Sequence, residues 1–197
     1  MDDPPQHGQA VNDTEQQKGS DQAMMMFRAF LATVLTGLVL AGYSGSVAAA
    51  ESERILTEKD WEAYTFKGDD GRTCYITSVP TKSKGKYDPA NRGEIRVFVS
   101  HGPRKDVRNV VQFLAGYKHK KHSPVEVVID GKEFKLFTLE GRAYAESEED
   151  DVAMVRAMKR GSKMTVSGTS SRGTVTTDTY SLSGFTKTKN LIDRTCK

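Results

Sequence analysis

Several things are scarce in this sequence. It has two cysteines, one tryptophan and six prolines among 197 residues. Two thiols cannot build a four-thiolate zinc site within one chain. No apolar run reaches the ~20 residues that a bilayer-spanning helix needs; the longest, Ala29–Ala41, has 13. There is no H-E-x-x-H pair, no phosphate-binding glycine loop and no dinucleotide fingerprint. Charge of one sign is not in large excess, with 29 basic and 26 acidic residues and a net charge of +3. What is present, 37% hydrophobic and 28% charged residues, excludes a disordered or collagen-like chain and fits one globular domain.

The first fifty residues read as something other than fold. Residues 1–23 are polar and acidic, with Asp2, Asp3, Asp13, Glu15 and Asp21 against one Lys18, and are expected to be a disordered leader. Met24-Met25-Met26-Phe27-Arg28 then opens onto the apolar run, and Val47-Ala48-Ala49-Ala50 closes it. A short basic start, a brief apolar stretch and an A-x-A site describe a secretory signal peptide over 24–50, cleaved after about Ala50. An acidic leader is a poor export start, so translation is expected to begin at Met24, Met25 or Met26. Leu40-Ala41-Gly42-Tyr43 nearly spells a lipoprotein box, but Tyr43 stands where the lipidated cysteine would be. The expected mature protein, 51–197, is therefore periplasmic or secreted and does not span a membrane.

Cleavage changes the charge balance. Lys18, Arg28 and five acidic residues leave with the leader, so 27 basic and 21 acidic residues remain, +6 over 147 residues. That balance suits anionic surfaces such as phospholipid, lipopolysaccharide or acidic glycans. Export argues against a nucleic-acid partner. Both cysteines, Cys74 and Cys196, lie in the mature part. In an oxidising compartment an even count reads as a disulfide. A redox pair would call for C-x-x-C or a setting that lowers a thiol's pKa, and neither is visible.

The mature chain is mostly β by pattern. Trp61–Phe66, Arg72–Val79, Glu94–Ser100, Val107–Tyr117, Val125–Ile129, Phe134–Leu139, Lys163–Thr169 and Thr174–Leu182 are apolar, alternating or β-branched stretches. Asp130-Gly131 between two of them is a strong hairpin signal. Pro80–Gly93 reads as a long polar loop. One helix stands out, with Glu148–Asp151 at its start, Lys159-Arg160 at its end and Gly161 in the left-handed stop position. Val152, Val155 and Met158, with Met154 nearby, are expected to face the core. A short terminal helix, about Thr186–Ile192, would deliver Cys196 to Cys74. Seven or so short strands with regular turns predict an all-β chain with minor helix, an antiparallel β-sandwich.

A resemblance covers nearly the whole mature chain. Trp61, Cys74-Tyr75-Ile76, Ile129-Asp130-Gly131-Lys132 and Phe134–Thr138 come in a recognisable order. Met158-Lys159-Arg160-Gly161, Met164, Val166, Gly168, Ser170, Arg172-Gly173-Thr174 and Asp178–Phe185 follow, with Cys196. Together they resemble the invasion-associated locus B family of alphaproteobacteria, most specifically in the C-terminal third. The resemblance implies an exported, immunoglobulin-like β-sandwich without known enzyme activity, linked in its founding members to host-cell entry. It carries over no binding residue.

Candidate chemistry is sparse. Lys118-His119-Lys120-Lys121-His122 is the densest basic cluster and is expected on an exposed loop, gripping phosphate or sulfate more strongly as its histidines protonate. His119-x-x-His122 has metal-ligand spacing, but the adjacent lysines repel cations, so no metal and no cofactor are expected. Lys82, Lys84 and Lys86 with Tyr87 and Arg92 form a second basic loop. Gly168–Gly173 imitates a nucleophile elbow but lies between two strands, which predicts a hairpin with Arg172 at its tip. The mature histidines, His101, His119 and His122, are the only imidazoles for a hydrolase. The leading expectation is a non-catalytic, exported envelope or host-interaction protein with Lys118, His119, Lys120, Lys121, His122 and Arg172 as candidate contacts. The alternative is a periplasmic small-ligand or chaperone-like module with an apolar groove between its sheets. The sequence fixes no oligomeric state.

Overall fold

The computed structural model describes residues 52–197, so the expected leader and signal peptide lie outside the described residues. Alternation of apolar and polar residues sets nearly half of the described residues into strands, and two stretches with helical spacing become helices. In order these are β1 (Glu53–Glu58), β2 (Trp61–Gly68), β3 (Gly71–Ser78), β4 (Lys82–Gly85), β5 (Arg96–His101), β6 (Val110–Leu114), β7 (Val125–Ile129), β8 (Lys132–Leu139) and β9 (Arg142–Tyr144). Then come α1 (Glu148–Arg160), β10 (Lys163–Thr169), β11 (Val175–Ser181) and α2 (Phe185–Thr195).

Neighbouring strands pair antiparallel in the order β1-β2-β3-β5-β6-β9-β8-β7-β10-β11-β4. The ladder divides at β8, whose Lys132–Leu136 half pairs with β7 and whose Phe137–Leu139 half pairs with β9. The two sheets share that strand, and Phe113 of β6 meets Tyr180 of β11 between them, ring centroids 6.4 Å apart. Asp130 and Gly131 both take positive φ, 43° and 91°, the tight turn that joins β7 to β8. The expected all-β chain with minor helix is what forms, with eleven strands among the described residues instead of seven or so. One addition corrects an expectation. Within the supposed loop Pro80–Gly93, Lys82–Gly85 pairs with Thr176–Thr179 of β11 as an edge strand. Lysines suit an exposed edge, because their charge discourages pairing with another chain.

Helix α2 covers the β1-β2-β3-β5 part of the sheet. It begins at Gly184, φ +98°, where a Cβ would collide with the carbonyl of Glu58. That turn drops Phe185 edge-on against Trp61, centroids 4.8 Å apart, while Trp61 Nε1 donates to the Ser181 carbonyl at 2.9 Å. Both rings are fully buried, each contributing roughly 2–3 kcal/mol of transfer free energy. At the far end of α2 Cys196 is bonded to Cys74 of β3, with Cα atoms 6.0 Å apart. Between these anchors lies a buried polar knot. The Asn109 N–H donates to His101 Nδ1 at 3.1 Å, so a neutral His101 carries its proton on Nε2 and donates to Asp193 at 2.8 Å. Lys189, also buried, donates to the same carboxylate oxygen. Burial pushes the pKa of both His101 and Lys189 down, and the two donors hold Asp193 at about 2 against its own burial.

Helix α1 departs from the expected face in one position. Asp151, Met154, Val155 and Met158 are buried, at the spacing i, i+3, i+4 and i+7, whereas Val152 is exposed. Asp151 occupies an apolar position because its Oδ1 accepts the Val111 N–H of β6 at 2.9 Å. Ser147 caps the helix by accepting from the Asp150 N–H. Gly161 ends it in extended geometry, φ −86°, not the expected left-handed one. Glycine is needed there for space, since a Cβ would lie 2.9 Å from Ile129 and Leu182 side chains. Burial raises the Asp151 pKa to about 6, the Val111 bond opposing. A raised pKa favours folding below the unfolded value near 4 and loses that advantage as pH rises through about 6. Asp151→Asn keeps an acceptor and removes the buried charge. It is expected to be more stable than wild type at pH 8, by roughly 1–3 kcal/mol, and to lose that lead by pH 4. Urea titrations at the two pH values check this; a lead that is the same at both contradicts it.

Candidate functional site

Three connections that are remote in sequence meet at one end of the molecule. They are the β4–β5 connection, the start of the β6–β7 connection and the β10–β11 hairpin. Backbone pairing brings the last two together. His119 bridges to Ser170, the Lys120 N–H donates to the Thr169 carbonyl at 2.9 Å, and the Ser171 N–H donates to the Lys118 carbonyl at 2.7 Å. Gly173, φ +85°, closes the hairpin as its sequence predicts. The Gly93 N–H donates to the Gly116 carbonyl at 2.9 Å and brings in the first segment.

Between the three lies a cleft of about 510 Å³, lined by Lys86, Tyr87, Arg92, Tyr117, Lys118 and Arg172 among others. Its floor is Arg92, which is held from behind in a buried ion pair. The Arg92 guanidinium donates to Asp178 of β11 by two bonds, Nη1 at 2.9 Å and Nη2 at 2.5 Å. Its Nε donates to the Ala115 carbonyl at 2.9 Å. The Tyr87 and Tyr117 rings lie against the same guanidinium, 5.1 and 5.2 Å from their centroids. The side chains of Arg92 and Asp178 are only 4% and 6% exposed. Arg92 therefore spends its charge inside the protein, and its role is to hold Tyr87 and the β4–β5 connection in place.

The rim carries the outward charge. Lys86 and Arg172 are exposed, and Lys118 makes one ion pair, 3.2 Å to Glu140, with both side chains more than two thirds exposed. Such a pair contributes little and yields readily to a stronger anion. Among the described residues the one carboxylate of the cleft lining is Asp88, which is exposed as well and accepts from the Ala90 N–H and the Asn91 side chain. Lys82 and Lys84 of β4 are exposed too, but they stand opposite Thr179 and Thr177, on the face of the edge strand turned away from Thr176 and the cleft; Lys86 reaches the cleft because it follows in the bend after Gly85.

The predicted contacts divide here. Lys118 and Arg172 line the cleft; Lys120, Lys121 and His122 are exposed on the adjoining turn and do not. His119 corrects an expectation. It is buried at 9% exposure against Tyr117 and Gly168, and neither ring nitrogen has a partner in the protein. The reason is the bridge to Ser170, which turns the ring inward while Lys118 and Lys120 face out. Burial pushes the His119 pKa down, so acidification does not make it the ready cation that its neighbours suggested. The three mature histidines lie apart. His101 is held by Asn109 and Asp193, His119 is sequestered, and His122 sits in a positive-φ turn. Among the described residues no hydroxyl is hydrogen-bonded to any of them.

Family comparison adds to this geometry. The profile described as Invasion associated locus B (IalB) protein matches residues 61–193, more than half of the chain. The chain belongs to the invasion associated locus B family. The match begins at the buried Trp61 and ends at Asp193 of the polar knot, and it spans all three cleft connections. No curated protein and no solved structure matches the chain. Among the described residues no helix is long and apolar enough to cross a membrane.

The Arg92–Asp178 pair is the part of the site that sequence reasoning missed. Arg92 reads as one more loop cation and Asp178 as a polar residue of a threonine-rich strand. The available signal was parity: Thr176, Asp178 and Tyr180 share one strand face, and Tyr180 belongs to the core.

Proposed function

We propose that this protein is an exported, non-catalytic recognition module of the cell envelope, and that its Lys86–Lys118–Arg172 cleft grips anionic groups on envelope or host-surface glycans. The observation that carries this reading is convergence. Basic segments up to about ninety residues apart share one concave site, over a floor kept rigid by a buried ion pair. A pre-shaped basic cleft binds anions with less ordering cost than a mobile loop does. The competing small-ligand reading needs an apolar groove between the sheets. There Phe113, Val125, Val166 and Tyr180 surround a void of only about 10 Å³, which favours the surface cleft.

The test is charge reversal at the rim, which leaves the floor intact. Lys86→Glu with Arg172→Glu is expected to weaken binding of a sulfated polysaccharide by about tenfold or more, with the melting temperature kept. Both residues are exposed, so folding is not at stake. Undiminished affinity in the double variant overturns the assignment.

A further inference from the structure

The opposite end of β5 carries a second concentration of positive charge, one that the proposed glycan site does not use. β5 leaves the first cleft after Arg92 and ends at His101; its six residues span roughly 20 Å. Beyond it, Gly102–Arg108 folds back beside the β2–β3 turn and the end of α2. These three segments enclose a cleft of about 300 Å³. Its walls carry Lys67, Arg72, Arg104, Lys105, Arg108 and Lys197. Against these six cations stand the α-carboxylate of Lys197 and, outside the lining, Asp106, which pairs with Arg104 at 3.0 Å where both side chains are about 70% exposed. The next acidic residues along the wall, Asp69 and Asp70, belong to the β2–β3 turn and do not line the cleft.

Two features make this more than a charged surface. The first is that the wall is built. The Arg108 guanidinium donates to the Cys196 carbonyl, and Cys196 is bonded to Cys74 two residues beyond Arg72. The disulfide thus clamps the chain end to β3 and fixes two walls relative to each other. The second is the choice of cation. Three of the six are arginines, whose planar forks match the oxygens of a phosphoryl group, and the lysines add point charge. Six cationic side chains around 300 Å³, against the Asp106 and Lys197 carboxylates, leave an excess of positive charge that repels itself unless a further anion sits among them. A ligand with a single carboxylate supplies too little charge for that; a compact ligand with clustered phosphoryl groups fits.

We infer that the basic cleft over the Cys74–Cys196 disulfide is a binding site for clustered phosphoryl groups, independent of the Lys86–Arg172 cleft and dependent on the disulfide for its shape. The chemistry has two sources, a soluble oligophosphate or the phosphates of a lipid headgroup layer.

The experiment uses the oxidised mature protein and two probes. Inorganic tripolyphosphate represents the free ligand. Phosphatidylglycerol–phosphatidylcholine vesicles, against phosphatidylcholine alone, represent the lipid. Arg72→Glu with Lys105→Glu changes exposed residues and is expected to keep the wild-type melting temperature. It should weaken binding of at least one probe about tenfold or more, while Lys86→Glu with Arg172→Glu changes it less than about threefold. Loss confined to tripolyphosphate identifies a soluble ligand; loss on vesicles identifies a lipid source. Reducing the disulfide should weaken the same probe. The inference is overturned if wild type binds neither probe, or if the two charge reversals weaken binding equally, which would mean that net charge alone is read. A failure of the glycan site shows separately, as sulfated polysaccharide binding that ignores Lys86→Glu with Arg172→Glu.

Discussion

Asp178→Ala is expected to cost about 3–5 kcal/mol of folding stability, the range for a buried ion pair stripped of one partner. The Arg92 guanidinium is left with its Ala115 and Tyr87 bonds and two aromatic faces, but with no counter-charge and 4% exposure. A domain of this size is stable by roughly 5–15 kcal/mol, so the loss is a large share. Arg92→Met combined with Asp178→Leu removes both charges and should recover most of it, as desolvation no longer opposes folding. Urea denaturation of wild type, Arg92→Met, Asp178→Leu and the double variant gives the coupling directly, with Asp178→Ala measured beside them. A loss below about 1 kcal/mol in Asp178→Ala would mean that water reaches the guanidinium and that the cleft floor is not dry.

Cys74→Ser is the second large effect. The bridge closes a sequence separation of 122 residues, for which chain entropy alone gives about 5 kcal/mol as an upper figure. It also fastens the end of α2, whose Lys189, Asp193 and Phe185 fill the space over β2, β3 and β5. The expected fall in melting temperature is on the order of 10 °C. Reductant should reproduce it in wild type and leave Cys74→Ser unchanged. Equal melting temperatures for oxidised and reduced wild type would contradict this.

The fold was legible where local chemistry and periodicity agree. Asp130-Gly131 names its own turn, the acidic start and basic end of α1 follow the helix dipole, and Cys74 and Cys196 were the only thiols to join. It was less legible where a residue's partner is distant. Lys82–Gly85 reads as loop because nothing local shows that β11 offers it an edge. Val152 looks like core and Asp151 like surface until the Val111 N–H of β6 claims the carboxylate. The candidate site divides the same way. Lys118 and Arg172 could be picked out as exposed cations, but their meeting depends on the His119–Ser170 bridge. That same bridge buries the imidazole that the pattern KHKKH places in solvent. The family motif gains a physical reading as well: in Ser183-Gly184-Phe185 the glycine passes the Glu58 carbonyl and the phenylalanine closes on Trp61.

The most direct test of the central claim, that the convergent basic cleft recognises anions, is calorimetric titration of a sulfated polysaccharide into wild type and into Lys86→Glu with Arg172→Glu. Each titration is run at low and at physiological salt, with neutral dextran as the control. Wild-type binding is expected to weaken with salt, the variant to bind about tenfold or more weakly with a shallower salt dependence, and dextran to give no response. Equal affinities and equal salt dependence in the two proteins would contradict the claim.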